Sequence, residues 1–110
     1  MSPADELHQT MAALVRPGKG LLAADESTPT ITKRFKAVGI ESTEETRRTY
    51  RSLLLTTAGI GEYISGVILY EETLGQTDGT GRPLPEVAAE QRIVPGIKVD
   101  KGTTELPGAD

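Results

Sequence analysis

Three short apolar segments, GLLAAD at 20–25, YISGVILY at 63–70 and RIVPGIKVD at 92–100, are separated by stretches with helical spacing. This alternation constrains the fold more than any other feature of the chain. The first segment is too brief for a helix and is bounded by Gly20, while the second is rich in β-branched and aromatic residues, so each reads as a strand. Strands separated by helices form βα units, in which the strands run parallel and the helices pack outside. The expected fold class is therefore α/β, with about three parallel strands and outer helices.

The intervening helices carry their own punctuation. Ser2 and Pro3 supply an N-cap and a first helical residue, Leu7, Met11, Leu14 and Val15 recur at helical spacing, and Pro17-Gly18 ends the segment. Thr28-Pro29 opens a second helix by the same device, carrying Ile31, Phe35 and Val38 up to Gly39. STEE at 42–45 has the form of a capping box in which Ser42 and Glu45 satisfy each other's backbone donors. That helix should run through Tyr50 and Leu53 to Leu55 as far as about Ala58, before Gly59. Residues 75–85 are rich in Gly and Pro and read as a loop, followed by a helical turn near Pro85–Glu90. Pro95 and Gly96 should mark a bulge or a strained bend in the third strand.

The charge balance narrows the function. With 12 cations against 16 acids, the net charge of −4 argues against a broad basic surface for nucleic acid. No run of Lys or Arg suggests an anionic membrane as partner, and no apolar run approaches the ~18 residues of a spanning helix. The N-terminal stretch MSPADELHQTMAALV carries two acids and lacks the cationic start of a secretory signal. There is no cysteine and a single histidine, His8, which excludes disulfides and thiolate chemistry and makes a transition-metal site or a Ser-His triad a poor reading. The expectation is one domain over 1–110, cytoplasmic, needing no cofactor, with neither a nucleic acid nor a membrane as partner.

In βα architectures function collects beyond the carboxyl ends of the strands. Three such segments are visible: Asp25-Glu26-Ser27, Glu71-Glu72-Thr73, and Lys98 to Lys101. Asp25 and Lys98 could face each other across neighbouring strands, and an acid beside a partly desolvated lysine alters its proton affinity and fixes its position. Spacing alone leaves a structural salt bridge and a functional pair open, and favours the salt bridge. Ser27, Thr28 and Thr30 start a helix that continues to Lys33 and Arg34, a setting that suits phosphate; spacing alone favours simple capping, and the two roles are compatible. PGKG at 17–20 lacks the first glycine and the hydroxyl of a Walker loop and is rejected as one. Adjacent residues on a strand point opposite ways, so Glu71 and Glu72 do not read as a carboxylate dyad.

Taken together, GKGLLAADESTPTITKRF, ESTEETRRTYRSLLL, YISGVILYEETL and IVPGIKVDKG resemble, in order and spacing, the N-terminal part of class I fructose-1,6-bisphosphate aldolases. The resemblance runs from about Leu7 to Gly102. It implies the N-terminal part of a TIM (β/α)8 barrel, and an activity that cleaves fructose bisphosphate reversibly to dihydroxyacetone phosphate and glyceraldehyde 3-phosphate in glycolysis and gluconeogenesis. The family works through a lysine Schiff base, uses no metal, and commonly forms homotetramers. It further implies that Asp25 assists proton handling and carbinolamine chemistry and that Lys98 is an active-site cation beside it. Ser27 and Thr30 would lie near the 6-phosphate, Arg34 would contact substrate phosphate, and Arg47 would belong to the substrate-binding positions. Thr30 departs from a serine common in the family, and GTTELPGAD after Lys101 follows the family only loosely.

A complete barrel takes about 250 residues. Three strands stop less than halfway round, so the chain is expected to be a fragment lacking the Schiff-base lysine region, with open edges and no aldolase activity alone. Two other readings stand beside this one: a non-catalytic partial barrel that binds phosphorylated metabolites or complements another chain, and, ranked last, Lys98 as an imine-forming nucleophile.

Overall fold

A computed structural model describes residues 2–100. Within them β1 (Gly20–Ala24), β2 (Ile64–Leu69) and β3 (Val94–Ile97) form one parallel sheet in the spatial order β1-β2-β3. Helix α1 (Pro3–Leu14) precedes the sheet. The first crossover holds α2 (Thr28–Ala37), α3 (Glu44–Thr56) and a 3₁₀ turn at Ile60–Glu62; the second holds α4 (Glu71–Leu74) and α5 (Leu84–Glu90). Among the described residues no helix is long and apolar enough to cross a membrane.

Alternation along the strands sorts the side chains between two faces. Ala24, Val67 and Leu69 are buried together with Leu55 of α3, Leu84, Val87 and Ala88 of α5, and Ile93, and the half-buried Leu22 packs against them. On the strands Leu21, Ile68 and Ile97 are exposed. Helices α3 and α5 cover one face of the sheet. On the other, Leu14 at the end of α1 lies against Gly66 beside Leu21, while α1 has no buried residue and Leu7 and Met11, with the following Val15, stay exposed.

Two local expectations fail for identifiable reasons. Thr43, not Ser42, is the N-cap of α3, so the capping box is Thr43 with Thr46; Glu45 falls one place early and pairs with Arg48 instead. Nor does β3 bulge at Pro95-Gly96: its register with β2 runs unbroken from Gly66↔Val94 to Leu69↔Ile97. The Lys98 amide donates to Leu69 O at 2.9 Å, so Pro95, three residues back, turns its missing N–H to the open edge, where proline is tolerated. The irregularity lies in the β1–β2 pairing, where the register steps from Gly20↔Ile64 to Leu21↔Gly66 and leaves Ser65 of β2 as the extra residue. The expected stop at Gly39 is borne out, its φ of 77° being a conformation other residues avoid. Helix α3, however, ends at Thr56 with extended Thr57 as its C-cap, short of Ala58, and Gly59, at φ 78°, caps the 3₁₀ turn instead. Ser2 caps α1 as expected, exchanging bonds with Asp5.

Candidate active site at the carboxyl rim of the sheet

Asp25 is the first residue after β1 and Lys98 the first after β3, so both leave the same rim of the sheet. The two strands are not neighbours, as the sequence had suggested: β2 lies between them. Two strand spacings amount to about 10 Å, which the four-carbon stem of a lysine bridges with little to spare. Lys98 Nζ stands 3.5 Å from Asp25 Oδ2, with the side chains 32% and 25% exposed. That distance is an ion pair but longer than a charge-assisted hydrogen bond, so both groups keep room for another partner.

Behind Asp25 the chain turns into α2. Ser27 has the extended backbone of an N-cap, yet its side chain makes no bond to the helix amides; Ser27 Oγ lies 3.1 Å from Thr30 Oγ1. Capping therefore does not account for these hydroxyls. One turn on, Arg34 Nη1 donates to Glu26 Oε2 at 3.2 Å, the arginine side chain being 65% exposed and the glutamate 9%.

Helix α3 sends two arginines one turn apart toward this rim. Arg47 grips Glu72 with Nε at 2.8 Å and Nη2 at 3.0 Å, and its Nη1 reaches Ser42 Oγ at 3.0 Å. The Glu72 carboxylate holds the Arg47 pKa above its ordinary value by stabilising the cation. Glu71 and Glu72 open α4 rather than extend β2, so strand alternation does not govern them; Glu72 is committed to Arg47. Arg51, which the sequence reading passed over, is buried. Its Nη2 donates to the Glu26 carbonyl at 2.6 Å and its Nη1 to Thr73 Oγ1 at 3.3 Å. It thereby ties the segment after β1 to the segment after β2. Tyr50 packs edge-on against Phe35 with centroids 5.6 Å apart and donates its hydroxyl to Glu26 Oε2 at 3.2 Å. Burial first, and then the Glu26 charge, push the Tyr50 pKa up. The signal for this second layer was the RRTYR spacing, which puts Arg47, Tyr50 and Arg51 on one side of a helix.

Asp25, Ser27, Thr30, Arg34, Arg47 and Lys98 thus all lie after β1 or β3, or on α2 and α3, and Asp25 with Lys98 and Ser27 with Thr30 are in contact. Lys101 and Gly102, which complete the GIKVDKG motif, lie outside the described residues. Residues 6–110 match the family model for fructose-bisphosphate aldolase class-I. The chain belongs to the class I fructose-bisphosphate aldolase family. It is 55% identical over 104 residues to a probable class 1 aldolase of Xanthomonas campestris, covering 94% of this chain and 31% of that protein. With the Dictyostelium discoideum aldolase it shares 56% over 108 residues, 97% of this chain and 30% of the relative. A chloroplastic aldolase of Spinacia oleracea is 50% identical over 109 residues, 99% of this chain and 28% of the relative. The Plasmodium falciparum aldolase, solved in complex with TRAP and a small-molecule inhibitor, superposes with a TM-score of 0.89 at 51% identity. That match covers 97% of this chain and 31% of the other, so the open three-stranded sheet corresponds to part of the aldolase TIM barrel. The chain spans about 30% of the length of the aldolases it matches.

Proposed function

We propose that these residues form one wall of a class I aldolase site, which cleaves fructose 1,6-bisphosphate reversibly through a lysine Schiff base, without metal. The observation that carries this reading is the Asp25–Lys98 pair, 3.5 Å apart and partly open to solvent on the carboxyl rim. In this reading Asp25 moves protons to and from the reacting carbon chain, and Lys98 supplies a fixed positive charge beside it. Ser27, Thr30 and Arg34 take the 6-phosphate end, where a dianion needs hydroxyl and guanidinium donors. Arg47 has three of its five N–H donors engaged by Glu72 and Ser42, so it serves a ligand through those that remain. The reading places the activity in the cytoplasm, in sugar-phosphate breakdown and synthesis, within a homotetramer of the longer family enzyme.

Residues 1–110 by themselves should give no turnover, because three strands leave the ligand cavity open to water. In an enzyme carrying this whole segment within a closed barrel, Asp25→Asn and Lys98→Met should each lower kcat about 100-fold or more in a coupled cleavage assay. The unfolding midpoint should barely move, since a part-exposed pair contributes at most about 1 kcal/mol. Full cleavage rates in both variants would sink the reading. The exposed apolar side chains Leu21, Ile68 and Ile97 favour a second reading, a partial barrel that binds sugar phosphates or completes itself against another chain. Calorimetry with fructose bisphosphate on the 110-residue chain separates the two: heat of binding without turnover supports the binding module, and no heat removes it.

A further inference from the structure

Glu26 is the most contested group on the rim. Its carboxylate is nine-tenths buried, and Oε2 accepts from both Arg34 Nη1 and the Tyr50 hydroxyl, each at 3.2 Å. Oε1, by contrast, has no hydrogen-bond partner among the described residues, although Arg51 Nη2 lies 3.9 Å away. Arg51 Nε is likewise buried without a partner. A buried carboxylate oxygen left unbonded beside a buried guanidinium with a spare donor is costly unless a second arrangement uses both. Nη2, which spends one hydrogen on the Glu26 carbonyl, has a second to offer, and a movement of about 1 Å would bring it from 3.9 Å into charge-assisted hydrogen-bond range of Oε1. Arg34 is held differently. Its side chain is 65% exposed and Glu26 is its ion-pair partner, so an anion arriving from solvent can compete for it.

We propose that Glu26 is a positioning residue that holds Arg34 until a phosphate monoester displaces it, its own charge then being taken up by Arg51. The inference rests on the reading of Arg34 as a phosphate contact and adds a rule of selection to it. A phosphate dianion brings more charge and more acceptor oxygens to the guanidinium than Glu26 does, so exchange favours it. A ligand carboxylate carries the same single charge as Glu26 and gains nothing by displacing it. Exchange also lets Arg34 change partners without stranding the Glu26 charge, because Tyr50 and Arg51 remain beside it.

The test is a double-mutant cycle read by isothermal calorimetry, titrating the protein with inorganic phosphate and with fructose 1,6-bisphosphate. It is run at fixed ionic strength, above the second phosphate ionisation of about 6. Removing a competitor worth an exposed ion pair should make E26Q bind about two- to five-fold tighter than wild type. That gain should vanish when E26Q is added to R34A. A tighter complex is a result that general loosening of the fold cannot produce. Should E26Q fail to fold, E26D carries the test: it keeps the charge beside Arg51 while drawing it back from Arg34, and the same gain is expected. Unchanged or weaker binding in the folded variant overturns the proposal while leaving the phosphate reading intact. An equal gain in the R34A background also overturns it, because Glu26 would then act only as a distant negative charge. If wild type binds neither probe, Arg34 makes no phosphate contact in this chain, and the binding-module reading and this inference fall together.

Discussion

The two ends of the sheet fasten their cations in different ways. At the amino end Arg16 donates to the carbonyls of Ala13 and Arg92, Lys19 Nζ to Gly61 O at 2.6 Å, and the Ser65 hydroxyl to Leu14 O at 2.6 Å. At the carboxyl end Lys98, Arg34 and Arg47 face carboxylates: Asp25, Glu26 and Glu72. A cation seated on backbone carbonyls satisfies groups that cannot move or leave, so it acts as a fastener. A cation facing a carboxylate can trade that partner for a phosphate of similar chemistry. On the proposed reading, the comparison separates the end of the sheet that holds still from the end that exchanges partners. Arg51 is the instructive exception. It sits at the exchanging end but bonds a carbonyl and a hydroxyl, and so should behave as a fastener.

Arg51 is therefore the sharpest place to break the contrast. Arg51→Ala should cost about 3–5 kcal/mol in denaturant unfolding, because it opens a cavity and removes a buried cation from beside the Glu26 carboxylate. Arg34→Ala, on the same rim and facing the same glutamate, should cost less than about 1 kcal/mol. Equal losses from the two would erase the distinction between fastening and exchanging cations.

A smaller loss is expected at the amino end. A Cβ at Gly61 would lie 2.2 Å from the carbonyl oxygen of Gln91, so helix α5's exit and the 3₁₀ turn must separate to admit it. Gly61→Ala should destabilise by about 1–3 kcal/mol and, in a closed enzyme, leave phosphate affinity unchanged. Loss of phosphate binding at matched folded fraction would show that the two ends are not independent.

The smallest effect belongs to Asp78, in the loop after α4. Bonds from the Thr80 hydroxyl, and then from the Arg82 and Thr80 amides and the Arg82 side chain, hold its pKa down at about 2, against an ordinary 3.8. A depressed carboxyl stabilises the fold fully above its unfolded value and loses that contribution as pH falls through the folded one. Between pH 3.8 and about 2 the wild-type midpoint should therefore fall more steeply than that of Asp78→Asn, as a Tm series in acid would record. Parallel curves would show that this loop owes its shape to Thr77–Pro83 pairing instead.

Much of this was legible before any coordinates. GLLAA, ISGVIL and VPGI are strands because short apolar runs bounded by Gly, Pro and charge have few other uses, and the parallel arrangement follows from the helices between them. Asp25 and Lys98 were legible because strand ends are recognisable as the points where apolar alternation gives way to charge. The register of a cap was not: Ser42, Thr43 and Thr46 all carry hydroxyls, and which one caps depends on a single residue's backbone angles, φ −128° and ψ 166° at Thr43. Glu26 and Arg51 were also hidden. Nothing in ADESTP or RRTYR says that the Glu26 carboxylate will be enclosed by α2 and α3 while Asp25 beside it stays part-open to solvent.

The sequence alone determined the periodic features: the three strands, the longer helices between them, the stop at Gly39, and the end of each strand that holds the charge. Periodicity is a local property, written in residues a few places apart. Only the tertiary structure decided that β2 separates β1 from β3, that Lys98 must reach across it to Asp25, and that Arg51 would be buried against the carbonyl of Glu26. Those outcomes join residues 73 and 25 positions apart, and they depend on which strand pairs with which and on what covers each charge. No short stretch of chain encodes either.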